Sequence, residues 1–335
     1  MKETETTIKN IKDTIDNYEQ TIHAMVGFIN LFRYDDKTER MKEGVIVFQG
    51  RKLTPSNSNN DVTPDIGVLL PSNKGVLAEV KKSFPKNQNY WTDDFKQLKS
   101  YDDDLIGWPS SDEKVSTHDI VLLLYQDIGV PVKKFYEGNL DKFQFRRKFI
   151  MIEFNRDNQR QTFYFFRKLL GTLSEETLDR RLENGVKIRM DVFESVTEYS
   201  KIKIYDSEPP LPYLIMLIWI HIVAPKALED FHSKKLRKNS KREIELEIND
   251  IIEKLHKGFS FYPIFQNTKR QQRIPHKNWV MNACDKLVEL KEAVWVDSLK
   301  ERIKISFKPY DDVLEHFIEN CVKKTNTDLQ SDLFS

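Results

Sequence analysis

Apolar residues recur at spacings of three and four over residues 4–33. Ile8, Ile11, Ile15, Tyr18, Ile22, Met25, Val26 and Ile29 share one stripe, which predicts an amphipathic helix. The pattern then shortens. GVIVFQG (44–50), DIGVLL (65–70) and GVLAEVK (75–81) read as strands, the last two joined through Pro-Ser-Asn-Lys as a hairpin. The polar stretch TPSNSNNDVT (54–63) between the first two reads as a turn-rich loop. WTDDFKQLKSYDD (91–103) aligns Trp91, Phe95 and Leu98 on one helical side, and HDIVLLLY (118–125) is apolar enough for a strand buried on both faces. FRRKFIMIEF and TFYFFRKLL flank NRDNQRQ as a hairpin. Thr172 with Glu175 predicts a capping box for a helix over 174–184, and VKIRMDVF and KIKIYD read as short strands.

At SEPPLP (207–212) strand-rich sequence gives way to helical sequence: an apolar helix over 213–231, EIELEINDIIEKLHKGF, and KNWVMNACDKLVELKE. The boundary falls at residue 208, giving a domain over 1–207, a second over 208–325 and a tail over 326–335. Composition adds exclusions. The chain has 335 residues, and 53 Lys+Arg against 52 Asp+Glu leave a formal charge of +1, so bulk charge names no partner. Cys284 and Cys321 are too few for a disulfide framework. The N-terminus lacks a signal-peptide core, and the apolar run 211–225 falls short of the ~20 residues that cross a bilayer, so the expectation is a soluble, cytoplasmic protein with no membrane partner. Dinucleotide, P-loop, HExxH, GxSxG and zinc-finger patterns are missing from the sequence.

The chemistry concentrates in TPDIGVLLPSNKGVLAEVKKS (63–83). Side chains alternate across a strand, so Glu79 and Lys81 face one side, and the hairpin brings Asp65 to the same face. Two carboxylates and a lysine at one sheet end suit phosphodiester hydrolysis. Asp65 and Glu79, with the backbone carbonyl of Val80, offer hard oxygen donors for Mg²⁺, with Mn²⁺ as a substitute. Lys81 beside two acids keeps its charge and can orient the attacking water or stabilise the charge of the transition state.

Pro64-Asp65 followed by Glu79-Val80-Lys81 on successive strands resembles the PD-(D/E)xK nuclease superfamily. Gln97-Leu98-Lys99-Ser100-Tyr101 matches the Q-x-x-x-Y helix of its RecB-type branch. The resemblance spans residues 10–126. It implies an α/β, restriction-endonuclease-like mixed sheet flanked by helices, with Gln97 and Tyr101 at the site and an acidic residue on the first helix completing the metal ligands. Glu19 is the candidate for that acid, and His23, one turn on, the next. The activity implied is a Mg²⁺-dependent deoxyribonuclease, an endonuclease in genome defence, restriction or repair, with a homodimer and partner proteins of such a system as companions. A catalytically inactive, DNA-binding regulator of the same fold and an RNA-directed nuclease are the alternatives.

Two basic clusters lie in the second domain: KKLRKNSKR (234–242) and KRQQRIPHK (269–277). Helix-turn-helix sequence followed by AVWVDSLKERIKISF resembles a winged-helix domain in its pattern. That resemblance implies nucleic-acid contacts by Lys269, Arg270, Arg273 and Lys277 and by the wing residues Lys300, Arg302 and Lys304. A winged helix can equally be an interaction or dimerisation module.

Overall fold

The computed structural model describes residues 2–35, 40–41, 44–49, 51–58, 60–84, 90–109, 115–156, 163–189, 208–227, 242–256 and 275–307. The chain divides into two compact units. Of the described residues, one unit takes those within Met1–Glu19, Tyr205–Phe259 and Arg273–Ser335, and the other those within Gln20–Ile204. The first helix, α1 (Lys2–Arg33), contributes to both.

After α1 come β1 (Tyr34–Asp35), β2 (Arg40–Met41), β3 (Ile46–Phe48), β4 (Thr54–Pro55), β5 (Ile66–Leu69), β6 (Lys74–Lys81), α2 (Trp91–Ser100), β7 (Leu105–Ile106), β8 (Thr117–Tyr125), α3 (Gln126–Glu137), β9 (Phe149–Arg156), β10 (Phe163–Leu170), α4 (Glu176–Asn184) and β11 (Val186–Arg189). They build a mixed seven-stranded sheet in the order β11-β10-β9-β8-β6-β5-β3, flanked by helices. The pairs β6–β8 and β8–β9 are parallel, and all others in this sheet are antiparallel. A parallel pair needs a crossover, and α2 and α3 supply the two.

The β5–β6 turn forms as its sequence predicts, with Asn73 at φ 56° and its N–H donated to Leu70 O at 2.9 Å. Asparagine tolerates that left-handed conformation. Registers carry one face across the sheet: Glu79 is level with Leu122, and Leu122 with Met151. Leu77, Ile120, Leu122, Leu124, Phe149 and Met151 of this face pack with Trp91, Phe95 and Leu98 of α2 and Val132 and Tyr136 of α3 into one core. Phe95 is its hub, its ring 5.5 Å from Tyr136 and 5.1 Å from Phe143. α3 lies close to the sheet because Gly129 has no side chain. A Cβ there would meet Leu169 Cδ1 at 2.8 Å. On the opposite face the second half of α1 runs over β10, where Tyr164 Oη donates to Gln20 O at 3.5 Å.

At α4 the capping differs from the expected box. Glu175 is itself the N-cap and accepts the N–H of Leu178 at 2.5 Å. Its neighbour Ser174 is taken up by Asp119, which accepts both its N–H and its hydroxyl, at 2.6 and 2.7 Å.

The other unit holds α5 (Leu211–Ile218), a π-helical turn (Trp219–Val223), β12 (Arg242–Glu247), α6 (Ile248–His256), α7 (Lys277–Glu289), β13 (Ala293–Trp295) and β14 (Arg302–Phe307). A three-stranded antiparallel sheet runs β12-β14-β13. The helix expected from EIELEINDIIEKLHKGF is thus corrected in its first half. Glu243, Glu245 and Glu247 are exposed while Ile244 and Leu246 are buried, a period of two that pairs with β14 and overrides the helix propensity of Glu and Leu. Arg302 pairs with Glu245 at 3.0 Å and Lys304 with Glu243 at 3.5 Å on the outer side of this sheet. KIKIYD lies outside the described residues, as does all of the basic cluster 234–242 except Arg242. No described helix is long and apolar enough to cross a membrane.

Candidate active site

Strands β5 and β6 stay paired as far as Ile66 opposite Ala78. Beyond that point the Asp65 side chain replaces the ladder: its Oδ2 accepts the backbone N–H of Val80 at 2.8 Å. A strand residue turns its N–H and C=O to the same edge, so the Val80 carbonyl also faces the side where β5 has ended. Asp65 and Glu79 are neighbours, close enough for each carboxyl to act on the other. Desolvation, then the charge and hydrogen bond of Glu79, push the Asp65 carboxyl well above the ordinary carboxylate range, against the Val80 N–H and Lys81, which pull it down.

Glu79 is 2% exposed, in a sheet covered on both faces. A buried carboxylate must be hydrogen-bonded or bound to a cation. α2 supplies the bonds: Gln97 Nε2 donates to Glu79 Oε1 at 2.8 Å, and the Tyr101 hydroxyl donates to the same oxygen. Tyr101 Oη also lies 3.4 Å from Thr63 O, just before Pro64-Asp65. Burial first, then the Glu79 charge, raises the phenol far above its ordinary value, so Tyr101 is a fixed neutral donor.

Lys81 is two residues beyond Glu79 on the same face. Its Nζ lies 3.1 Å from Asp94 Oδ1 on the first turn of α2. Burial pulls its pKa down, but Glu79, Asp94 and Asp65 together outweigh burial and hold it above the ordinary value, so the ammonium stays charged. One helix face therefore reads one strand face. Positions 94, 97 and 101, spaced three and four apart, meet Lys81, Glu79 and Glu79 again, while Trp91, Phe95 and Leu98 anchor the buried side.

Asp65, Glu79, Val80, Lys81, Gln97 and Tyr101 thus come together as the spacing in sequence suggests. Glu19 stands on α1 at the boundary between the two units, and its charge helps raise the Tyr213 phenol after burial, the larger cause. His23 lies against Tyr164, ring centroids 6.0 Å apart. Through the β10–β9 register, Tyr164 belongs to the sheet face opposite Glu79. Among the described residues no three His, Cys, Asp or Glu side chains form a metal-holding group. Asp94 carries no distinguishing mark in the sequence. Its signal, an acid three residues before Gln97, is indistinguishable from the acidic first turn that favours any helix N-terminus.

Of the basic residues, Lys269, Arg270 and Arg273 lie outside the described residues. Lys277 is exposed at the start of α7. Lys300 is engaged within the fold, its Nζ 2.7 Å from Asp285 Oδ1 and 5.5 Å from the Trp295 ring. Arg302 meets Glu245 and, at 3.6 Å, Asp297. Leu299 between these residues is 77% exposed. No protein-family model, curated protein or solved structure gives a significant match to this chain.

Proposed function

We propose that the chain is a divalent-cation-dependent nuclease of the PD-(D/E)xK type, cleaving phosphodiester bonds in DNA. The observation that carries this reading is the Asp65–Glu79 pair: two neighbouring acids at the point where β5 parts from β6, Asp65 on the Val80 N–H and Gln97 and Tyr101 fixed on Glu79. The order α1, β3, β5, β6, α2, β8 with an antiparallel β3–β5–β6 and a parallel β6–β8 supports a restriction-endonuclease-like fold.

The donor set fits Mg²⁺. Asp65 and Glu79 offer adjacent hard oxygen donors that would hold the cation together with the Val80 carbonyl, which faces the edge where Asp65 accepts the Val80 N–H. Mg²⁺ is typically held by one or two carboxylates, with waters and substrate phosphate as the remaining ligands. When bound, the cation would polarise the phosphate and favour a hydroxide-like nucleophile. Gln97 and Tyr101 hold Glu79 in one orientation. Lys81, charged and on the same face, is positioned to stabilise negative charge building on the phosphoryl group and to orient water, not to take a proton from it.

In the other unit, the order helix, strand, helix, helix, strand, strand, with the first strand beside the third, favours a winged-helix reading. Lys277 at the start of α7 suits a phosphate contact. The internal pairing of Lys300 and Arg302, beside the exposed Leu299, favours a protein-interaction role for the wing as a second reading. Genome defence, restriction or repair is the setting this activity suits. Incubating the chain with plasmid, linear duplex, single-stranded DNA and RNA in Mg²⁺, Mn²⁺ or EDTA tests the function. Cation-dependent scission of DNA supports it, scission of RNA alone redirects it, and intact substrates throughout favour the non-catalytic regulator.

A further inference from the structure

We propose that Asp94 is the positioning residue for Lys81, fixing where the ammonium stands during cleavage; this rests on the nuclease reading of the site.

The geometry is direct. Lys81 Nζ and Asp94 Oδ1 are 3.1 Å apart, with side chains only 26% and 20% exposed. A pair so shielded is screened less than an ion pair in open solvent. The neighbouring pair is the contrast: Asp93 meets Lys96 at 2.9 Å with both side chains about 70% exposed, 70% and 68%. Asp94 is itself well fixed. It stands on the first turn of α2, where the helix dipole favours an anion, and its helix is anchored by the buried Trp91, Phe95 and Leu98.

A lysine stem has four rotatable carbons and a single point charge, so an unpartnered ammonium samples many rotamers. Three acids surround Lys81: Glu79, Asp94 and Asp65. In the proposed reaction Glu79 and Asp65 are committed to the cation. Asp94, on the helix and outside that pair, is the acid left to hold the ammonium in place. It reaches the lysine from the same helical face that delivers Gln97 and Tyr101 to Glu79, so one helix aligns both halves of the E-x-K strand.

The test uses the full chain and plasmid DNA, and compares wild type with Asp94→Asn, Asp94→Glu, Asp93→Asn, Lys81→Met and the Asp94→Asn/Lys81→Met double variant. The expected result is a kcat loss of about 10- to 100-fold in Asp94→Asn with KM little changed, the size typical of residues that orient active-site ligands. Asp94→Glu should recover part of it, and Asp93→Asn none of the loss should appear. In the Lys81→Met background, Asp94→Asn should add nothing, since the two act as a unit. Lysine-ammonium NMR gives a readout apart from activity: the Lys81 Nζ signal, assigned through Lys81→Met, should be lost in Asp94→Asn and kept in Asp93→Asn. An undiminished kcat in Asp94→Asn, an equal further loss in the double variant, or a retained Lys81 signal overturns the inference. Wild-type chain that cleaves nothing removes the nuclease reading and the catalytic role of Asp94 with it, whereas an active Asp94→Asn removes only the latter.

Discussion

Asp65 accepts the backbone N–H of Val80 at 2.8 Å, just past the last paired residues of β5 and β6. A side chain thereby ends the hairpin ladder, and the strand edge beyond it is left facing a pair of carboxylates. That termination makes a site where two strands would otherwise simply diverge.

The site is held at a cost in stability, because Asp65 is desolvated beside a second acid. Asp65→Asn keeps an acceptor for Val80 and removes the repulsion. The metal-free variant should therefore melt above wild type at pH 8, while Mg²⁺ should raise the melting temperature of wild type and not of the variant. Ligand binding to the native state at 100 times its Kd is worth about 2.7 kcal/mol. Calorimetry or thermal fluorescence with and without Mg²⁺ checks both parts.

Tyr101→Phe removes the hydroxyl that donates to Glu79 but leaves the ring in the core, where the residue is 1% exposed. Turnover should fall by about 10- to 100-fold with the fold intact. Gln97→Ala should lower it similarly, and the double variant by less than the product of the two, because both hold one carboxylate oxygen. Single-turnover kinetics alongside circular dichroism separate this from unfolding.

Buried His118 predicts a pH dependence of stability. Its Nε2 lies 2.7 Å from Tyr101 O, and desolvation first, opposed by that bond, lowers its pKa from 6.5 to about 4. The unfolded chain binds a proton between these values and the folded chain does not, so stability is complete above pH 6.5 and falls as pH drops toward 4. Full titration is worth roughly 3 kcal/mol, at 1.36 kcal/mol per unit. Urea melts from pH 7 to pH 4 should show this loss in wild type and a shallower one in His118→Gln.

Much of this arrangement was legible in the sequence, for a local reason. Glu79 and Lys81 share a face through strand alternation alone, and Gln97 and Tyr101 share one through helical spacing, so neither relation needs tertiary information. What was lost depends on packing. α3 carries Gly129 and Pro131, residues that discourage a helix, yet Val132 and Tyr136 bury against the sheet and Gly129 permits the close approach. β12 looks helical by composition and becomes a strand because β14 is there to pair with it. The internal engagement of Lys300 and Arg302 is likewise set by partners distant in sequence.

That engagement predicts unequal roles for the basic residues in DNA binding. On an Asp65→Ala background, Lys277→Ala should flatten the salt dependence of DNA affinity by about one unit of slope, the effect of one lost phosphate contact. Lys300→Ala should change it less, because Asp285 already holds that ammonium. Fluorescence anisotropy over a salt series measures both slopes.

The most direct test of the account is plasmid cleavage by wild type and Glu79→Ala, each in Mg²⁺ and in EDTA. Glu79 is both a proposed cation ligand and the residue on which Gln97 and Tyr101 converge. Nicked or linear product is expected only for wild type in Mg²⁺, with the variant inactive and still folded. Undiminished cleavage by Glu79→Ala, or by wild type in EDTA, would contradict it.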